Sequence, residues 1–394
     1  MKRVCSIFSQ ILQLIPRDRF EEAVKEHKAE RHARGFSSWG QLVAMLFSQL
    51  AQAKSLREIT EGLQASEGKL LHLGLPEAPA RSTLAYANAH RPWQLYETVF
   101  HRLLADCRKK LGVAKAGAKL GLPGKLLSLD ATVIDLCAAV FDWAKFRTTK
   151  GAVKLHLLLD HDGYLPCYAV ITEGRVHEIQ VARQLKLQRG TMLVFDRGYT
   201  DYEWFRRLTG EGVNFVTRMK ENAAYLVVEQ REAVGAGVRA DEIVALEKQA
   251  QADVETASFL RRIRYWDEAT GRELIFLTNH LELEAAVVAA VYKERWQIEL
   301  LFKALKQNLR IKTFVGTSAN ALKTQIWTAL IALLAVKFLQ LQSSHPWSLS
   351  GLIALLRQQL FVYRNLWVWI ETPFEPPIPL SEEDSPQLPF AWAT

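Results

Sequence analysis

Tyr292, Arg295, Glu299, Lys303 and Lys306 lie in one stretch, Tyr-Lys-Glu-Arg-Trp-Gln-Ile-Glu-Leu-Leu-Phe-Lys-Ala-Leu-Lys, that contains neither Gly nor Pro. Strong helix formers fill it, so it predicts a single helix. At about 100° per residue the five side chains fall within roughly 40° of one line down that helix. Ile298, Leu301, Phe302, Leu305 and Leu309 form a separate apolar stripe for packing. The flank therefore offers a phenol, a carboxylate and three cations. A carboxylate can hold a metal, and the cations can hold phosphate oxygens. The alternative for the same residues is a plain i,i+4 ladder of salt bridges, Arg295–Glu299–Lys303.

Two more carboxylates stand where such chemistry would need them. Asp130 lies inside the strand-like run Ser-Leu-Asp-Ala-Thr-Val-Ile, where an uncompensated charge is costly unless it meets a cation. Asp196 ends Leu-Val-Phe-Asp-Arg-Gly-Tyr, at the carboxyl end of a strand, the usual place for ligands in such sheets. The alternative for an Asp before Arg-Gly is a turn former. Asp135 competes with Asp130, but five residues along a period-2 element it points to the opposite face. Three converging carboxylates can gather two divalent ions about 3.5–4 Å apart, which activate a water or a 3′-OH and stabilise the leaving oxygen.

The elements that must position these residues follow from periodicity. Residues 1–112 read as all-helical, with a capping box at Ser55-Leu-Arg-Glu58. Gly74 to Arg91 reads as a Pro-broken turn and a short helix. It is similar to a helix-turn-helix reader, with Arg81 and Arg91 facing DNA, or else it is a turn in a bundle. Lys109–Lys125, basic and rich in Gly and Ala, reads as a linker, and its Gly124-Lys125 fails the phosphate-loop pattern. Strands are predicted at Leu126–Leu136, Val153–Asp160 and Leu165–Thr172, a helix at His177–Leu187, and a strand at Met192–Asp196. A helix capped at Thr200 and a strand at Val213–Thr217 follow. Three meandering strands and then α, β, α, β is the order of an RNase H-like core. Residues 219–272 interrupt it as an inserted β-rich subdomain, and 273–345 complete it. A helix over 346–370 offers Leu352–Trp367 as a dimer contact. The tail 371–394 carries five acids, no Lys or Arg and six of the thirteen prolines.

Net charge is +8, and without the five acids of the tail the body carries 8 + 5 = +13, which favours a polyanionic partner. The four cysteines are scattered and form no C-x-x-C pair, which excludes a thiolate metal site and fits a reducing cytosol. Ile326–Val336 is too short for a membrane crossing, so no membrane partner is expected and the protein is placed in the cytoplasm.

With its acids in this order, the chain resembles the RNase H-like DDE transposases of bacterial insertion sequences. It is closest in pattern to the group marked by Tyr-x2-Arg-x3-Glu-x6-Lys. Tyr292, Arg295, Glu299 and Lys306 match at every spacing, Asp196-Arg-Gly-Tyr resembles the second-Asp block, and Asp130-Ala-Thr resembles the first. The resemblance implies a mixed α/β fold with an RNase H-like catalytic core, an inserted β-rich subdomain, an all-α N-terminal domain and a helical C-terminal segment. It implies cut-and-paste transposition of double-stranded DNA through a hairpin intermediate, by a homodimer on paired ends. Asp130, Asp196 and Glu299 would hold two Mg²⁺ or Mn²⁺ ions, and Tyr292, Arg295 and Lys306 would grip phosphates. Lys303 joins them by its place on the helix face. Trp266, beside Arg261, Arg262 and Arg264, is the candidate to stack on a flipped base. Lys154, His156 and His177 are secondary. The rival functions are a transposase-derived DNA-binding protein that no longer cuts and a nuclease that hydrolyses without joining.

Overall fold

Strand β1 (Leu126–Cys137) pairs on both sides, antiparallel with β3 (Lys150–Asp160) and parallel with β5 (Met192–Phe195). The computed structural model describes residues 5–375 apart from 32, 34, 67, 113–115, 138–140, 142, 144, 148–149, 247–258, 310 and 312. β4 (Leu165–Glu173) lies antiparallel to β3, and β6 (Asn214–Arg218) lies parallel to β5. The spatial order is β4-β3-β1-β5-β6, antiparallel through β1 and parallel from β1 to β6, and the three meandering strands expected from the sequence are β1, β3 and β4. A short β2 (Lys145–Arg147) pairs with the start of β3.

The expected insert does not stand apart. β7 (Tyr225–Arg231), β8 (Val238–Leu246) and β9 (Leu260–Asp267) continue the same sheet outward from β10 (Arg272–Thr278), which pairs with β6. The backbone groups of β6 and β10 thus satisfy each other directly, and residues 219–272 lengthen the sheet.

The chain before the sheet is helical: α1 (Ile7–Leu12), α2 (Arg17–Glu26), α3 (Ser38–Ala51), α4 (Leu56–Gln64), α5 (Arg81–His90) and α6 (Gln94–Leu111) come first. The predicted cap is present, with Ser55 Oγ accepting from the Glu58 N–H at 3.1 Å. The expected linker is largely ordered. Lys109–Leu111 end α6, Ala116–Lys119 form α7, and Lys125 reaches the buried Asp160 at 2.5 Å. Arg108 contacts the same carboxylate at 2.7 Å, so this ion cluster ties the helices to the sheet.

After β4 come α8 (Glu178–Ala182), shorter than predicted, and after β5 comes α9 (Tyr202–Gly210). Asp201, rather than the expected Thr200, caps α9 by accepting from the Trp204 N–H at 2.8 Å. Past the sheet lie α10 (Ala285–Glu294), α11 (Trp296–Asn308), α12 (Ala319–Gln342), α13 (Leu349–Gln359) and α14 (Leu366–Glu371). Helix α12 is apolar enough and long enough to cross a membrane, but 89% of its most apolar window is buried inside the protein. It is the central core helix, packed by α3, α5 and α6 on the N-terminal side and by α13.

Two expectations change here. The N-terminal helices do not have a core of their own; Leu42, Phe47, Phe100 and Leu104 share one apolar cluster with Leu305, Trp327, Leu330 and Leu356. The predicted C-terminal helix is two, and Leu352, Leu356 and Leu360 are buried within the chain, which removes them as a dimer contact. Tyr363 and Trp367 stay exposed. Most of the acidic tail, residues 376–394, lies outside the described residues.

Candidate active site

The parallel pairing of β1 with β5 ends at Leu129 opposite Phe195, so the next residues on the two strands are Asp130 and Asp196. Both carboxylates leave adjacent parallel strands at one edge. Asp130 Oδ1 accepts from the Ala131 N–H at 2.8 Å, and Asp196 Oδ1 caps the turn Arg197–Tyr199 by accepting from the Gly198 N–H at 3.2 Å. Asp135 is exposed farther along β1, as strand parity requires.

Glu299 comes from the first turn of α11, where the helix dipole favours an anion. Arg295 joins it to the strand. Its guanidinium lies 2.5 Å from Glu299 and 3.5 Å from Asp130. The ladder reading of the sequence is thus half present, since Arg295–Glu299 is an i,i+4 pair that also reaches across to the sheet. Burial pushes the Asp130 carboxyl up to about 6; Glu299 and Asp196 add to this, while the Ala131 N–H and Arg295 oppose it. The three acids therefore sense one another.

Hard oxygen donors on three separate elements suit Mg²⁺ or Mn²⁺ in kind. Their spacing is looser than the sequence suggested. Among the described residues no three Asp, Glu, His or Cys side chains stand close enough to hold a metal, because the Arg295 guanidinium lies between Asp130 and Glu299.

The cationic residues divide. The predicted single helix breaks at Arg295, a joint between α10 and α11 that no Gly or Pro announces. Tyr292 consequently sits on α10 with its ring buried against Phe276, centroids 5.0 Å apart, rather than on the open flank. Lys306 donates to the Val133 carbonyl at 2.9 Å and so anchors the end of α11 to β1. Lys303 is exposed and lines a 370 Å³ cavity with Tyr164, Gln307 and Lys337. The apolar stripe Ile298, Leu301, Phe302, Leu305 and Leu309 is buried as predicted.

Trp266 is 37% exposed on β9, away from the three acids in sequence and sheet position. Its arginine neighbours pair internally: Arg261 with Asp241 at 2.5 Å, Arg262 with Glu242 at 2.6 Å, and Arg264 with Glu273 at 2.8 Å. In the N-terminal helices Arg81 is exposed at the start of α5. Arg91 is not available to DNA. It is buried and donates to the Ser37 carbonyl at 2.9 Å, to the Phe36 carbonyl and to Gln41, because it closes the loop before α3. Asn88 is likewise buried, accepting from Gln41 Nε2 at 2.8 Å.

Sequence reasoning treated Lys154 and His156 as secondary and missed Glu178 and Tyr199. Lys154 pairs with Glu178 at 2.7 Å, and His156 Nε2 is 2.9 Å from Thr172 Oγ1, with burial pushing His156 down to about 4. The Tyr199 hydroxyl is buried without a partner, in the field of Asp130, Glu178 and Asp196. Its place in Asp-Arg-Gly-Tyr was the available signal.

The fold is mixed α/β, with acids at the ends of two central strands and on a following helix, and the comparisons name the family. Residues 122–335 match the transposase DDE domain, and the chain belongs to that family of DNA transposases. It is 34% identical over 260 residues to a protein of Sinorhizobium fredii (strain NBRC 101917 / NGR234) named as transposase y4zB, covering 65% of this chain and 70% of that one. It is 26% identical over 271 residues to a protein named as the transposase of insertion sequence element IS5377 of Geobacillus stearothermophilus, covering 68% and 70%. Residues 4–76 match a domain of unknown function, DUF4372.

Proposed function

We propose that Asp130, Asp196 and Glu299 are the catalytic acids with which this transposase cuts DNA at the ends of its element and joins the freed ends to a target. The observation that carries this reading is the β1–β5 register, which ends one residue short of Asp130 and Asp196, with Glu299 tied to Asp130 through Arg295. The order β4-β3-β1-β5-β6 supports an RNase H-like core around them.

When bound there, Mg²⁺ or Mn²⁺, two ions on this reading, supplies Lewis acidity to the attacking and leaving oxygens. The chain's own part is to hold and orient. The three carboxylates supply the donors, and Arg295 exchanges its carboxylate contacts for a phosphate oxygen as DNA arrives. A guanidinium forms such a fork to either partner. Lys303 and Lys306 hold neighbouring phosphates. The buried ring of Tyr292 orients Arg295, whose guanidinium stacks 5.6 Å over it.

The cut-and-paste route through a hairpin, with Trp266 stacking on an extruded base, and a homodimer on paired ends complete the proposal. The N-terminal contact with DNA is assigned to the exposed face of α5. There Arg81, Ser82 and Thr83 stand beside Tyr86 and His90, whose rings stack at 4.0 Å.

The test is cleavage of DNA carrying the element's terminal repeats, with Mg²⁺ or Mn²⁺ added to purified protein. Cleavage is expected with either ion and should disappear in Asp196→Asn and Glu299→Gln. Undiminished cutting by those variants would remove the proposed centre. A strand-transfer assay with pre-cut ends separates a transposase from an enzyme that only hydrolyses.

A further inference from the structure

Helices α10 and α11 meet at Arg295, whose backbone is itself helical, so the place of α11 against the sheet depends on what the residues around this joint touch. Glu294, the residue before the joint, is held from the sheet side. Its Oε2 accepts from the Tyr164 hydroxyl at 3.3 Å and lies 3.4 Å from His161 Nδ1. The other ring nitrogen, His161 Nε2, is 2.7 Å from Ser128 Oγ. Ser128 and His161 are 0% and 1% exposed, and the His161 backbone N–H is itself fixed to the Leu126 carbonyl at 3.1 Å. With a carboxylate facing Nδ1, the proton belongs on that nitrogen, and Nε2 accepts from the Ser128 hydroxyl. The Nδ1 contact with Glu294 is a close polar approach without hydrogen-bond alignment.

Two anchors therefore bracket the site. Ser128 lies two residues before Asp130 on β1, and Val133 lies three after it. Glu294 lies five residues before Glu299, and Lys306 lies seven after it. The contacts Ser128–His161–Glu294 and Val133–Lys306 tie the same strand to the last residue of α10 and to the end of α11, on either side of the two acids. We propose that Ser128, His161 and Glu294 form a positioning relay that sets the distance between the strand carrying Asp130 and the helix carrying Glu299. This rests on the reading of those two acids as catalytic.

An apolar contact of the same size would hold α11 against the sheet, but it would tolerate sliding. Polar contacts, with hydrogen bonds at Ser128–His161 and Tyr164–Glu294, restrain distance and orientation together, and a buried polar group is retained at a cost when its partners are lost. Metal-ligating acids respond sharply to such support, and displacements of about 1 Å can cost two orders of magnitude in rate.

The experiment uses the full chain and single-turnover cleavage of terminal-repeat DNA at saturating DNA, with Mn²⁺ titrated. Glu294→Ala and Ser128→Ala are compared with Glu294→Gln, which keeps the shape and an acceptor oxygen. Glu294→Ala is expected to slow cleavage by about 10–100-fold and to raise the Mn²⁺ concentration needed for half-maximal rate. DNA affinity should stay within about twofold, and Glu294→Gln should recover part of the rate. Ser128→Ala removes one oxygen and should move rate and Mn²⁺ requirement in the same direction, so it decides the matter if Glu294→Ala fails to fold. Wild-type rates in both alanine variants, or rate losses that only track the folded fraction, would overturn the relay. Asp196→Asn serves as the control: if it still cuts, the underlying assignment of the acids has failed and not the relay alone.

Discussion

Two regions of one sheet handle charge in opposite ways. On β9 each arginine has a carboxylate of its own from β8 or β10, and the Arg261–Asp241 pair is buried and bidentate, with contacts of 2.8 and 2.5 Å. At the β1–β5 edge, Arg295 bridges Asp130 and Glu299, and Asp196 stands beside them with only its turn N–H as a hydrogen-bond partner. Matched pairs hold a fold together and ask for nothing more. Acids in excess raise one another's pKa and are relieved by a cation. The lesson is that the balance of partners, not the density of charge, separates a structural cluster from a candidate site.

The largest effect should come from Asp130. If the three acids are the proposed metal-holding set, removing one is expected to cost several kcal/mol of transition-state stabilisation, on the order of 10³-fold in cleavage rate. Stability should move the other way. The Asp130 carboxyl sits at about 6, above its ordinary 3.8, so its folded form is favoured while protonated. That contribution is intact below pH about 4 and is lost as pH rises through 6, which leaves a cost on the order of 2–3 kcal/mol at pH 7.5. Asp130→Asn should therefore be inactive yet melt higher than wild type at pH 7.5, with the gain vanishing near pH 4. Millimolar Mn²⁺ should raise the melting temperature of wild type and leave that of the variant unchanged. A lower melting point for Asp130→Asn would mean that the acids at this edge are matched after all.

Asp241→Asn tests the other region. It leaves Arg261 buried and charged without a counter-ion, with one amide oxygen at position 241 and the Leu281 and Leu283 carbonyls as acceptors, a loss of about 3–5 kcal/mol in urea unfolding. Cleavage by the folded fraction should be unchanged. A fall in single-turnover rate beyond the loss of folded protein would make this region part of the DNA-processing surface and erase the contrast.

How much of this was legible depends on whether the signal was local. The apolar stripe of α11, the strand of Asp130 and the turn after Asp196 were readable because periodicity and turn chemistry act within a few residues. The register that sets Asp130 beside Asp196 followed from element order. Tyr292 was misplaced because the stretch does not show that the helix ends at Arg295 or that Phe276, on β10, covers the ring. Arg91 looked like a DNA contact because sequence shows a cation but not the carbonyls of Phe36 and Ser37 that enclose it. His161 gave no signal at all. Its partner Ser128 is 33 residues away, and Tyr164 and Glu294 are 130 apart, so only the folded chain brings them together. The shared core of the N-terminal helices with α12 escaped for the same reason, since an amphipathic face does not say what covers it.

Lys337 gives the smallest effect and the sharpest check on the comparison, because it too is a charge without a match. It stands on the core helix α12, with Gln340 Oε1 at 3.2 Å and the Tyr164 ring at 5.8 Å, and among the described residues no carboxylate pairs with it. Burial pushes its ammonium down from 10.5 to about 8. Below pH 8 the folded protein therefore carries the full cost of a buried charge, and the cost is relieved as pH rises toward 10.5 and the unfolded chain loses its proton as well. Lys337→Met keeps the length and removes the charge, so it should stabilise the protein by about 2 kcal/mol at pH 7, with the gain fading between pH 8 and 10.5. If cleavage and DNA affinity are untouched, an unmatched charge is not by itself a site, and the acids at the β1–β5 edge are distinguished by their convergence. If DNA affinity falls while stability rises, Lys337 joins Lys303 in holding phosphate across the 370 Å³ cavity that both line. The surplus of acid at one place and of base at the other would then be two halves of one nucleic-acid surface.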